Sequence, residues 1–261
     1  MKKNKTIIII TIAVIYLIAL FVVLIGSKSN QRKDKNLNKK YIVVDDFAKL
    51  SYSGGAWSNA STSDIESYKE YNVFINNELF GKYRLEYGNT WNLFNDSDDY
   101  VNYEGSLFAY SDNFDVKLNN MERMTLSDDD KSVISKYFNY NDYSNLITSD
   151  VFKIDMDDDG INDKIICLSN IGLDDNKASN YYNLIFIISN DKIIKILNEN
   201  SSNSDIMESA VYNLVNVFEF NDKKYLVVKK TMGIDSDGVQ ESTVLYQSID
   251  NNSFEKVKFS S

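Results

Sequence analysis

The stretch KIDMDDDGINDKII, Lys153 to Ile166, sets five carboxylates, Asp155, Asp157, Asp158, Asp159 and Asp163, between two apolar runs. Carboxylates this close raise one another's pKa unless a cation neutralises them. Either a metal ion gathers their oxygens, or water solvates an ordinary acidic turn. The flanks VFKI and KIICLS are β-branched and apolar, as strands are. The segment therefore reads as two antiparallel strands joined by an acidic connection.

With Asp155 at position 1, Asp157 stands at 3, Asp159 at 5, Gly160 at 6, Ile161 at 7 and Asp163 at 9. Calcium is a hard ion that takes roughly 6–8 oxygens. Alternate carboxylates on a coiling loop converge on one point, glycine at position 6 permits a sharp turn, and position 7 offers a backbone carbonyl. An EF-hand requires glutamate at position 12 and a helix on each side. Position 12 here is Ile166, so an EF-hand is excluded. Asp163 would have to complete a shorter shell, and Asp158 is expected to point outward.

DxDxDGxxD between two strands resembles the calcium loops of FG-GAP and VCBS repeats. The resemblance spans Val151 to Leu168. It implies Asp155, Asp157, Asp159 and Asp163 as side-chain ligands of a structural Ca²⁺, with Ile161 giving its carbonyl. The Phe-Gly/Gly-Ala-Pro half of an FG-GAP repeat is missing, because the chain has no proline. A closed propeller needs at least about four four-stranded blades, more than the residues from the helix start onward could supply. A weaker second metal candidate lies in MGIDSDGVQEST. There Asp235, Asp237 and Glu241 take positions 3, 5 and 9, but Gly233 at position 1 brings no carboxylate. A glycine-containing hairpin turn is the simpler reading.

Outward from the loop, apolar runs recur around Asn and Asp pairs: VFINNELFGKY at Asn76-Asn77, LIFIISNDKIIKIL at Asn190-Asp191, VFEFNDKKYLVV at Asn221-Asp222 and YQSIDNNSFEKV at Asn251-Asn252. Asn and Asp tolerate the left-handed backbone of two-residue hairpin loops. Four antiparallel hairpins are expected. In LSDDDKSVISKYFNY, Ser127 caps a helix, Asp128 to Asp130 suit its positive end, and Val133, Ile134, Tyr137 and Phe138 share a face. Weaker helices are expected over Thr62 to Tyr71 and Ser204 to Tyr212. The fold class is mainly β, an antiparallel hairpin meander with one or two short helices. A boundary near 120–128 separates a Tyr/Trp/Gly-rich β subdomain, residues 41–120, from residues 121–261, which hold the helix, the acidic loop and three hairpins.

The segment TIIIITIAVIYLIALFVVLIG, Thr6 to Gly26, carries no charge and is long enough to cross a bilayer as a helix. Its length and poor cleavage site favour an uncleaved signal anchor, residues 1–26, over a cleaved signal. No cysteine stands directly after it, which excludes lipoprotein processing. Residues 27–40 form a basic, flexible linker, read as a solubilising spacer or a contact with anionic head groups or wall polymers. Lys and Arg on both flanks leave the topology signal mixed. Long domains translocate largely regardless of charge, so the C-terminal region is placed outside a single-pass cell membrane.

Residues 1–40 hold nine of the 28 basic and one of the 38 acidic residues. That leaves 19 against 37 in residues 41–261, a net charge of −18. Such a surface repels nucleic acid and suits cations or a basic partner. Histidine is absent, which removes Ser-His-Asp and Cys-His catalysis and His-ligated zinc or haem. Cys167, the single cysteine, reads as a small buried hydrophobe. The glycines of SYSGGAWSNAS lack the lysine of a phosphate loop. No enzyme is expected. The leading expectation is a membrane-anchored extracytoplasmic binding or adhesion module with calcium as a fold clip and an envelope polymer or protein as partner. The alternative is an accessory or sensor subunit of a cell-envelope complex, its Tyr16-bearing helix packed on partners. A third is a carbohydrate-active enzyme.

Overall fold

A computed structural model describes residues 38–138, 147–170, 181–189, 192–201, 210–234, 238–250 and 253–260. The expected membrane helix, Thr6 to Gly26, lies outside these residues. Among the described residues no helix is long and apolar enough to cross a membrane.

Among the described residues, eighteen strands and two short helices follow one another. β1 (Lys40–Val44), β2 (Ala48–Ser53), β3 (Ala56–Asn59), β4 (Tyr71–Ile75), β5 (Glu78–Tyr87), β6 (Trp91–Phe94), β7 (Tyr100–Val101) and β8 (Leu107–Ser111) make an eight-stranded sheet, with α1 (Thr62–Glu66) between β3 and β4. β9 (Lys117–Leu118) and β10 (Glu122–Arg123) precede α2 (Asp128–Phe138). β11 (Ile147–Ile154), β12 (Asp163–Asn170), β13 (Tyr181–Ser189) and β14 (Lys192–Ser201) extend from β10 as a five-stranded sheet. β15 (Ala210–Phe220), β16 (Lys223–Ile234), β17 (Gly238–Asp250) and β18 (Ser253–Lys256) form a second five-stranded sheet with β9 on its far edge. The pairings are antiparallel throughout.

The four hairpins are present. Ile75 pairs with Glu78, Ser189 with Lys192, Phe220 with Lys223 and Asp250 with Ser253. Asn76 and Asn77 take φ of 52° and 67°, Asn221 and Asp222 take 51° and 57°, so both described turns have the left-handed pair of a type I′ loop. The turn residues Asn190, Asp191, Asn251 and Asn252 lie outside the described residues.

Alternation along the strands stacks the three sheets. Leu226 and Val228 of β16 face Ile165 and Cys167 of β12 and Ile185 and Ile187 of β13 in one core. Their neighbours Tyr225 and Val227 face the other way, onto Ile42, Val44, Leu50 and Phe108 of the eight-stranded sheet. The β15–β18 sheet is thus the middle layer, buried on both faces. That explains the unbroken apolar run YLVV, because neither face of the strand meets water. The outer faces are closed by helices: Ile65 of α1 packs with Tyr41, Tyr71 and Trp91, and Ile134 of α2 packs with Ile166, Leu168 and Phe186. Each large apolar side chain so enclosed contributes roughly 1.5–3 kcal/mol.

Two short strands and the tail tie the layers. Leaving the eight-stranded sheet, the chain lays Lys117–Leu118 against β15 and then Glu122–Arg123 against β11. Beyond β18, Val257 donates to the Leu245 carbonyl and Ser260 to the Trp57 carbonyl, both at 2.8 Å.

Two helix expectations need correction. The helix from Thr62 ends at Glu66, because Tyr71 is drawn into β4, where its ring is fully buried. The helix expected over Ser204 to Tyr212 does not include its last three residues. Ala210, Val211 and Tyr212 begin β15, whose period-two burial runs through Ala210, Tyr212 and Leu214; residues 204–209 lie outside the described residues. The capped helix does form, with Ser127 and Asp130 in reciprocal hydrogen bonds. Ile134 is buried in it and Val133 half-buried, while the side chains of Tyr137 and Phe138 lie outside those described.

Candidate metal centre

β11 ends at Ile154 and β12 begins at Asp163, and these two residues pair across the hairpin. The intervening residues coil. Asp158 and Gly160 both take positive φ, 58° and 82°. A Cβ on Gly160 would meet nothing within 4 Å, so glycine is required there by backbone conformation rather than by space. The loop's own N–H groups fix its carboxylates. Gly160 N–H donates to Asp155 Oδ2 at 2.9 Å, and Ile161 N–H to Asp159 Oδ1 at 2.7 Å. A longer contact at 3.4 Å links Asp159 N–H to Asp157 Oδ1.

These bonds bring Asp155, Asp157 and Asp159 together, each with a carboxylate oxygen within 4.8 Å of the other two. Asp155 Oδ1 is sealed from solvent and lacks a hydrogen-bond partner among the described residues. A buried carboxylate oxygen without a donor costs several kcal/mol of lost solvation unless a cation or proton meets it. The mutual repulsion of three such charges adds on the order of 1 kcal/mol per pair in water, and several times more where solvent is thin.

Asp163 stands apart from the triad. It is buried, and its Oδ2 accepts from Met156 N–H at 2.9 Å. Burial raises its pKa; hydrogen bonds from Ser189 and Met156 oppose that, and the charges of Asp157 and Asp159 reinforce it. Ile161 is 58% exposed. Of the weaker second group, Asp235 and Asp237 lie outside the described residues. Glu241 sits in β17, where its carboxylate pairs with Lys229 at 2.5 Å.

Asp158 does not simply point to water. Its Oδ2 meets Lys224 Nζ at 3.1 Å, and its Oδ1 lies 3.5 Å from Lys117 Nζ. Hydrogen bonding to Lys224 holds its carboxyl below the usual range, against a desolvation penalty and with help from both lysine charges. Lys224 also reaches the Asp155 carbonyl at 3.4 Å. Neither lysine was legible from the loop, since β9 and β16 are remote in sequence. One signal was available: Lys224 shares its strand face with the buried Leu226 and Val228, an unusual register for a lysine.

Beside the loop opens a cleft of about 150 Å³. Asp157, Asp163, Glu219, Asp222 and Asp250 supply carboxylates to its wall, Ile187, Ile194 and Phe254 apolar surface, and Lys224 the cation. It forms where the hairpin ends of both five-stranded sheets meet. Cys167 is fully inside the core, its thiol pushed up to about 12 by burial, which leaves it unreactive.

No family model matches the chain, and no curated protein or solved structure is significantly similar to it.

Proposed function

We propose that this chain is a membrane-anchored extracytoplasmic surface protein whose β region binds Ca²⁺ at Asp155, Asp157 and Asp159. One observation carries the ion: three carboxylate oxygens lie mutually within 4.8 Å, and the sealed Asp155 Oδ1 has no donor among the described residues. Each of the three carboxylates accepts a loop N–H on one oxygen. Oxygen-only donors favour a hard cation over a transition metal. Asp163 buttresses the loop through Met156 N–H. The ion then clips β11 to β12 and neutralises charge that the fold otherwise tolerates poorly.

The membrane anchor rests on the uncharged run Thr6 to Gly26, and the outward placement on the same segment with the long acidic region behind it. Extracellular modules bind calcium at roughly 10⁻⁴ to 10⁻³ M, which suits an ion site loaded outside a cell. The role is binding or adhesion, and the acidic cleft beside the loop is complementary to a basic partner.

Calcium titration of the full chain in detergent, by calorimetry, tests the reading. Binding is expected, with a melting temperature higher in calcium than in chelator. Asp157→Ala and Asp159→Ala abolish both. Identical melting of the unaltered chain in calcium and chelator would sink the proposal.

A further inference from the structure

We propose that Lys224 is a positioning residue for the calcium loop, an inference that rests on the calcium reading above. Its side chain is only 11% exposed, so it is held in place rather than trailing in solvent. Its backbone is fixed as well: Lys224 N–H donates to Ser248 Oγ at 2.9 Å, and the residue pairs with Glu219 in the ladder. From that base the ammonium spans to the neighbouring sheet. It meets the Asp155 carbonyl at one end of the loop and the Asp158 carboxylate at its left-handed bend. Those two anchor points bracket Asp157, and Asp155 itself is the triad member whose Oδ1 is sealed. Fixing both sets the direction in which the carboxylates of Asp155 and Asp157 project.

A positive charge beside a cation site works against the ion by simple electrostatics. If charge were all Lys224 contributed, its removal would tighten calcium binding. If it orients the loop, its removal weakens binding, as loss of outer hydrogen bonds does at other metal sites. The two effects have opposite signs, so the direction of the change decides. Lys117 is the matched control. It lies near the same Asp158 carboxylate, but it is 63% exposed and has no contact with the Asp155 carbonyl among those described.

The experiment is calcium titration of the full chain in detergent for the unaltered protein, Lys224→Met, Lys224→Gln and Lys117→Met, with melting in chelator as the check on folding. Lys224→Met is expected to weaken binding by roughly tenfold or more. Lys224→Gln, which can still donate to the Asp155 carbonyl, recovers part of that loss, and Lys117→Met binds as tightly as the unaltered chain or tighter. Affinity unchanged or raised in Lys224→Met overturns the positioning role and leaves the calcium reading standing. Absence of binding by the unaltered chain overturns the calcium reading itself. A second measurement needs no substitution. Because coupling is reciprocal, calcium should slow acylation of the Lys224 amine relative to that of Lys223, read by mass spectrometry. Equal labelling with calcium and with chelator counts against the inference.

Discussion

The Asn216 side-chain amide donates to the Asn77 side-chain carbonyl at 3.1 Å, joining the β4–β5 turn of the eight-stranded sheet to β15 of the middle layer. Asn216 is buried, and it sits where β15 slips register against β16. The contact separates two turns that otherwise look alike. Asn77 and Asp222 occupy the same left-handed position of a type I′ turn, yet among the described residues only Asn77 holds a hydrogen-bond partner in another sheet. Asn77→Gly gains turn propensity but strands a buried amide, which costs about 1–3 kcal/mol, so it should lower the melting temperature. Asp222→Gly relieves left-handed backbone cost with no such loss and should hold stability or raise it by at most about 1 kcal/mol. Paired thermal melts check the opposite signs.

Gly160→Ala should weaken the calcium binding proposed for the loop and destabilise the metal-free protein by about 1–2 kcal/mol. The new methyl group meets no atom, so the whole effect comes from φ of 82°. Gly160→Asn, which tolerates that region better, should fall between. Chelator melts and calcium titrations of both variants give the measurement.

Asp130 caps α2 through Ser127 and pairs with Lys164 at 2.6 Å. Burial alone would raise its pKa, but the bonds from Lys164 and Ser127 outweigh that and hold it below the usual range. A depressed carboxylate stabilises the fold above its unfolded pKa of about 3.9 and loses that contribution as pH falls through the folded value. Asp130→Asn should therefore cost about 1–3 kcal/mol at neutral pH, with the difference closing in acid. Denaturant unfolding at a series of pH values from 7 downward reads this directly.

Cys167, with 1% exposure and its thiol pushed up to about 12, should resist aromatic disulfide reagents in the native state and react only as the β11–β14 sheet opens. Labelling kinetics against denaturant should track unfolding by circular dichroism. Fast reaction in native buffer would contradict the burial described.

Turn chemistry is local, and it was legible. Asn76-Asn77 and Asn221-Asp222 carry their left-handed preference whatever surrounds them, and Ser127 with Asp130 announces a helix start. The acidic loop was legible for the same reason, since Asp155, Asp157, Asp159 and Gly160 are close neighbours along the chain. The stacking of three sheets was not legible. Leu226 and Tyr225 look equally apolar in sequence, and nothing in YLVV says which sheet each faces. The short strands at Lys117–Leu118 and Glu122–Arg123 lack any pattern of their own and exist because β15 and β11 offer open edges. The helix expected to reach Tyr212 failed because Ala210, Tyr212 and Leu214 already alternate, and tertiary burial favours that period. The ion pair of Asp158 with Lys224 joins groups too remote in the chain for spacing to reveal.

Ser260 closes on Trp57 across 203 positions, and that span governs the order of assembly. A ribosome releases β1 to β8 long before the strands that cover their inner face exist. Until β15 and β16 emerge, Trp57 and its aromatic neighbours lack the rings of Phe218, Phe220 and Tyr225 that pack on them, and Ser260 closes the site last. Nascent chains stopped short of Phe218 should therefore be far more open to protease near Trp57 than chains that include residue 260.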